Sequence, residues 1–293
     1  MTRRNSATGK IVGAIIVIVI VALAAWWYFS RIPGLDLTRH GPAPSSMPAT
    51  ASTAPPPIVN PISSAQTEPA PATTTPLPPL EASGQTVATA LASLPGAEGL
   101  AKLLIPRGLI PHFVATVDAL PRHEIGSSIL PVHTPSGTFT VDKSNGQPVI
   151  DRKNYARYAQ YMKIVKEVDP RTLVTWYVHW YPLFQQAYQQ LGYPHGYFND
   201  RLIAAINDML AAPNARPPVA LVATSDGHYA YADPTWEGLS VGQKLMIRLG
   251  PGNEREMKIK LHRIRALLLG QAAVLPHKAA PPASPTVPAS AHS

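Results

Sequence analysis

The stretch that decides the fold is Arg171 to Leu191, RTLVTWYVHWYPLFQQAYQQL. Leu173, Tyr177, Trp180, Phe184, Ala187 and Leu191 recur at i, i+3 and i+4 spacing, which lines one face of an α-helix with large apolar and aromatic groups. Gly192 supplies the helix stop. Pro182 lacks a backbone donor and is expected to kink or divide the helix.

The helical signal continues outward from this stretch. Thr86 to Leu94 and Glu98 to Leu104 carry apolar residues at helical spacing, and Pro111 suits the first turn of a helix ending near Leu120. Asn154 to Val168, a helix capped by Asn199 or Asp200 that runs through Met209 to a stop at Pro213, and Ser240 to Leu249 follow. The last is Asn253 to Leu269, with Met257, Leu261, Ile264 and Leu268 as its stripe. Two ribbons interrupt the helices. Thr138 to Val141 and Pro148 to Ile150 flank Ser144-Asn145-Gly146, while Val219 to Ala223 and Tyr229 to Tyr231 flank Ser225-Asp226-Gly227. Both turn sequences favour positive φ. Gly126 through Ser136 holds Pro131 and Pro135 without a helical period, and is expected as loop. The expected fold is mainly α with minor β: a single compact helical domain with two small β-ribbons over residues 77–270, behind one transmembrane helix and a Pro-rich linker. Roughly 190 residues suffice for one hydrophobic core.

The transmembrane expectation rests on Ile11 to Phe29, an apolar run preceded by Arg3, Arg4 and Lys10 and closed by Trp26, Trp27, Tyr28 and then Arg31. About 20 residues at 1.5 Å each match a hydrocarbon core of roughly 30 Å. The leading cations place residues 1–10 in the cytoplasm and send the rest across, which predicts a single-pass inner-membrane protein with its C-terminal domain in the periplasm. Ala22-Leu23-Ala24 offers a cleaved signal peptide as the rival, yet the run stays apolar through Phe29, which favours a retained anchor at 11–29. Both routes export the domain. The chain has no cysteine, which excludes a lipoprotein anchor, disulfides, thiol catalysis and thiolate metal sites. Residues 30–76 are rich in Pro, Ala, Ser and Thr, a composition that cannot bury enough surface to fold. As an extended spacer at about 3.1 Å per residue they would reach on the order of 100 Å. The linker serves as a passive tether or as a proline ligand for a partner's aromatic groove. The tail at 271–293 repeats the composition and is expected to be disordered.

Chemistry is harder to find. Aromatic residues crowd between Tyr155 and Phe198; most fit a core, and Trp176 and Tyr181 are left as candidates for a binding surface. Ten histidines show no metal-ligand spacing, and His179 among aromatics is expected as a core imidazole, so neither metal nor other cofactor is expected. Hydrolysis needs two carboxylates in different environments. From the pool of Asp118, Glu124, Asp142, Asp151, Asp200, Asp233 and Glu237, the pair Asp233 and Glu237 around Trp236 is the most suggestive, with turn capping and ion pairing as their plainer roles. No nucleophile elbow or phosphate loop occurs. The formal charge is +8, but half of it flanks the anchor, where five cations outweigh Asp36. Lys258, Lys260, Arg263 and Arg265 are expected as a solvated basic face, with nucleic acid excluded by the compartment.

Several runs carry a resemblance: Val117-Asp118-Ala119-Leu120-Pro121-Arg122, Asn154-Tyr155-Ala156-Arg157-Tyr158, Tyr181-Pro182-Leu183-Phe184-Gln185-Gln186-Ala187-Tyr188, Phe198-Asn199-Asp200-Arg201-Leu202, Tyr231-Ala232-Asp233-Pro234, and Gly242-Gln243-Lys244-Leu245 with Arg248-Leu249-Gly250-Pro251. They resemble an uncharacterised family of proteobacterial envelope proteins, the domain of unknown function numbered three thousand and fourteen, over nearly all of Leu77 to Leu269. The resemblance implies an N-terminal anchor, a variable proline-rich linker and one domain in a Gram-negative host, with no activity and no catalytic residues to carry over. Arg157, Arg201 and Arg248 lie in or beside apolar helices, where a guanidinium needs a carboxylate. A buried network with Asp118, Asp200 or Asp233 is the first expectation for them and a site for an anionic ligand the second; Asp118 with Arg122 is an i, i+4 pair. The expected function is a non-enzymatic interaction or scaffold protein that meets envelope proteins or peptidoglycan. The alternatives are a wall hydrolase using Asp233 and Glu237, and a small-ligand module with a pocket lined by Trp176 and Tyr181.

Overall fold

The apolar periodicity of the chain resolves, in a computed structural model, into helices separated by two ribbons. The structure describes residues 57–68, 76–123, 129–225 and 227–271. The expected anchor at 11–29, residues 30–56 and 69–75 of the linker, Asp226 and the tail from 272 lie outside the described residues. Among the described residues no helix is long and apolar enough to cross a membrane. The order is α1 (Gly84–Ala92), α2 (Leu109–Ala119), β1 (Val141–Asp142), β2 (Val149–Ile150), α3 (Lys153–Ala156), α4 (Ala159–Glu167), α5 (Pro170–Gln190), α6 (Phe198–Leu210), β3 (Leu221–Ala223), β4 (Tyr229–Tyr231), α7 (Pro234–Glu237), α8 (Val241–Leu249) and α9 (Pro251–Leu268).

Helix α5 is the trunk, and α2, α6 and α9 pack around it. Asp169 caps it by accepting from the Arg171 amide at 2.6 Å, and Pro170 occupies the first turn, where its missing donor costs nothing. Phe184 is the hub. The rings of Phe113, Trp176, Tyr177 and Phe198 lie 5.2, 5.9, 5.4 and 5.8 Å from it, three of them edge-on. Pro182 does not divide the helix. It lies on the exposed face of the helix. His179 is exposed rather than in the core, its ring edge-on to Trp180 at 5.0 Å.

The two antiparallel ribbons, β1 with β2 and β3 with β4, meet through a bridge between Val149 and Ala220. They cover a second, smaller core of Ile150, Val219, Leu221, Tyr231 and Ile247. Helix α8 begins with a capping box: the Ser240 hydroxyl accepts from the Gln243 amide at 3.1 Å while the Gln243 side chain accepts from the Ser240 amide at 3.4 Å. A Cβ on Gly242 would stand 2.9 Å from Met209 Cγ, so the missing side chain is what lets α8 lie against α6. Gly250 alone joins α8 to α9, at φ 80° and ψ 158°.

Four further expectations differ from the structure. Glu98 to Leu104 is not an α-helix but a single 3₁₀ turn, Leu100–Lys102, because Gly96 and Gly99 turn the chain at φ 83° and 87° just before it. Asn154 to Val168 breaks between α3 and α4. Asn154 is spent on the first ribbon, donating to the Thr140 and Asp151 carbonyls at 2.7 and 2.8 Å, while Tyr158 turns into the core. Helix α6 is capped by neither Asn199 nor Asp200; Tyr197 holds the N-cap position, and both polar residues sit in the first turn, facing another segment. That segment is the fourth correction. Residues 57–68, which composition assigns to an unfolded linker, dock along α6, α5 and the end of α9. The amides of Val59 and Asn60 donate to the Asp200 carboxylate at 3.1 and 2.6 Å, and the Gln66 amide donates to the Leu267 carbonyl at 2.9 Å. The docked segment builds no core of its own and is held by acceptors and donors that the domain presents.

Candidate functional site

The three singled-out arginines do not converge. Arg201 on α6 forms an ion pair with Asp118 at 2.9 Å, and its guanidinium also donates to the Asp118 carbonyl. Arg122 grips the same carboxylate from the turn after α2, and the Tyr193 hydroxyl donates to it at 3.2 Å. Asp118 therefore ties α2 to α6; Asp200 and Asp233 take no part in that network. Arg157 donates to the carbonyls of Pro135, Ser136 and Gly137 at 3.2, 3.1 and 3.0 Å and so holds the loop after β-bridge residue Val132. Arg248 is buried on α8, with its guanidinium over the Tyr231 ring at 5.9 Å.

Asp233 and Glu237 are committed to structure. Asp233 caps α7, accepting from the amide and hydroxyl of Thr235 at 2.8 and 2.6 Å. Those bonds favour its charged form and hold the carboxyl below its ordinary range, the reverse of what a general acid needs. Glu237 accepts from the sunken Lys244 ammonium at 2.7 Å with one oxygen and from the Tyr231 amide at 2.9 Å with the other. Trp176 and Tyr181 are both 7% exposed and offer no surface. α5 is covered on more sides than one stripe requires, so the residues left over by the i, i+3, i+4 pattern are buried as well. The hollow beside Trp176 measures about 20 Å³ and is walled by apolar side chains, so no organic ligand fits it.

The charged cleft lies elsewhere. Gly96, Glu98, the end of α4 with Lys166 and Glu167, the junction Val168-Asp169-Pro170, and Lys260 and Arg263 of α9 enclose about 570 Å³. The close approach of its walls depends on Gly96, where a Cβ would meet the Glu167 carbonyl at 2.8 Å. Lys260 is 7% exposed, and its ammonium donates to the Val168 carbonyl at the C-terminal end of α4, the end of a helix that favours a cation. Burial pushes its amine down to about 8, with Arg263 adding to the effect and Asp169 opposing it. Glu98, Lys166, Glu167 and Arg263 are exposed around this buried base. Donors and acceptors of both charges therefore face one space, which suits a group that carries both an ammonium and a carboxylate. No cluster of His, Asp or Glu suited to a metal occurs among the described residues.

The spacing of charges suggests a solvated basic face for Lys260, but the residue is buried. Lys260 falls three residues after Met257 and four before Ile264, so it belongs to the apolar stripe of α9; that spacing was the available signal. Its neighbours are also engaged. Lys258 binds Glu254 at 2.8 Å and Asn214 at 2.7 Å, and Arg265 donates to Asn207 at 2.6 Å.

Fold and site together define a mainly helical domain with a mixed-charge cleft between its helices. The family described as "Protein of unknown function (DUF3014)" matches residues 109–265, more than half of the chain, and the chain belongs to that family. No curated protein and no solved structure matches it.

Proposed function

We propose that the chain is a membrane-tethered binding module of the bacterial envelope, whose cleft receives a zwitterionic, peptide-like group of the cell wall or of an envelope protein. The observation that carries this reading is Lys260, an ammonium kept at the base of a 570 Å³ cleft whose rim bears both signs of charge. A buried lysine is costly to a fold, and at a cleft its amine is positioned to meet a ligand. The engagement of Asp233 and Glu237 in capping and ion pairing favours binding over hydrolysis. The apolar run at 11–29 and the Pro-rich residues beyond it would hold the domain off the membrane.

The test is co-sedimentation of the detergent-solubilised full chain with intact peptidoglycan sacculi at low and moderate salt. Pelleting that survives moderate salt and falls at least several-fold in Lys260→Met supports a wall ligand in this cleft. Pelleting equal in the two proteins places the wall contact outside this cleft and overturns the reading of the cleft, and pelleting by neither removes peptidoglycan as the ligand.

A further inference from the structure

The Phe198-Asn199-Asp200 run is left unexplained by the cleft, and the docked segment explains it. Asp200 takes the Val59 and Asn60 amides and, at 2.8 Å, the Asn60 side chain. Asn199 is fully buried, with its oxygen accepting from the Tyr177 hydroxyl at 3.3 Å and its nitrogen donating to the Asn60 carbonyl at 2.9 Å. The Tyr197 hydroxyl accepts from the Ile62 amide at 3.4 Å. Further along, the Gln66 side chain donates to the Gly270 carbonyl at 3.0 Å, and Glu68 exchanges bonds with the hydroxyls of Thr175 and Thr172 at 2.7 and 3.0 Å. Every one of these bonds to α5 or α6 engages a side chain of the domain, and four of them engage backbone groups of the docked segment.

Two observations separate seat from occupant. Tyr197, Asn199 and Asp200 fall inside the family-matched residues 109–265, whereas 57–68 lies outside them. The occupant is also thinly anchored: Ile58 and Val59 are 52% and 74% exposed, and Ile62 and Ala65 are partly buried against the main core. With so little apolar surface covered, hydrogen bonds exchanged against water give weak affinity on their own. Covalent linkage keeps the segment in place by presenting it at an effective concentration on the order of millimolar.

We propose that this face is a peptide-binding seat for an Asn-Pro segment that runs into a 3₁₀ turn at Ile62–Ser64, filled here by the chain's own residues 57–68 and open to the same segment of a second copy once the resident one leaves. The seat reads main-chain donors through Asp200 and the turn before Pro61 through Asn199. It shares no residue with the charged cleft, so each stands or falls without the other.

The experiment titrates a fluorescent peptide of residues 57–68 with the detergent-solubilised full chain and follows anisotropy. The double substitution Asn60→Ala with Gln66→Ala weakens the resident segment and should raise affinity for the peptide at least about tenfold over the unsubstituted chain. Adding Asp200→Ala to that variant should abolish binding. Asp200→Asn, which keeps the shape of the side chain, should weaken it and serves if the alanine variant fails to fold by circular dichroism. Equal affinity with and without the strap substitutions, no binding by either protein, or binding that survives both Asp200 variants overturns the proposal.

Discussion

Lys260 shares a face of α9 with Met257, Leu261 and Ile264, and the same burial that sets it in the cleft makes it expensive for the fold. Its amine titrates at about 8 in the folded protein against an ordinary 10.5. Between those values the unfolded chain binds more protons than the folded one, so this residue makes stability rise with pH there and leaves the full penalty in place below about 8. Lys260→Met removes the linkage. In urea denaturation the variant should be the more stable protein at pH 7, by about 1–2 kcal/mol once the lost bond to the Val168 carbonyl is offset. Its advantage should shrink steadily between pH 8 and pH 10.5. A gap that stays constant over that range would mean that the amine is not displaced. The gain in stability and the loss of ligand binding would then fall on one residue, as expected where a local rule is broken for function.

At the scale of elements, the α8–α9 junction concentrates its demands in Gly250. Its φ of 80° with ψ of 158° is a region that side chains disfavour strongly, and a Cβ there would stand 2.6 Å from the Tyr155 ring. Gly250→Ala should lower stability by about 2–4 kcal/mol, seen as a fall in denaturation midpoint with an unchanged slope. Legibility in the sequence varied with how local each signal was. α5 could be read because its own spacing sets one core-facing stripe, although partners on its other sides bury Trp176 and Tyr181 as well, and α8 because Ser240 and Gln243 cap it from four adjacent positions. The turn at Leu100–Lys102 was hidden by glycines that also permit a helix, and the α6 cap by Asn199 and Asp200, whose partners lie about 140 positions away. The cleft was illegible for the same reason: its parts come from Gly96, the α4–α5 junction and α9, and among them Lys260 alone carried a signal in its spacing.

For the whole molecule, the proposed arrangement is a span, a spacer and a domain whose spacer ends in the docked segment, so the cleft is displayed by a tether that joins the domain at α6 and the end of α9. The basic residues give this arrangement a direct test. Arg31 and Arg39 flank the expected span, and between Arg39 and Lys102 the chain contains no lysine or arginine. Lys102 ends the 3₁₀ turn that places Leu100 in the core. Brief trypsin treatment of the full chain reconstituted in vesicles should therefore cut first at Arg31 or Arg39 in molecules whose domain faces outward. A fragment beginning at Ile32 or His40 should pass into the supernatant with its helical content intact, and the span should stay with the lipid. If the cut fragment remains with the vesicles, the domain holds the bilayer through a second contact, and the exposed Arg263 on α9 becomes the first residue to examine. Should uncut chain be soluble without detergent and fail to enter vesicles, the anchor reading of residues 11–29 is wrong and the cleft belongs to a protein free of the membrane.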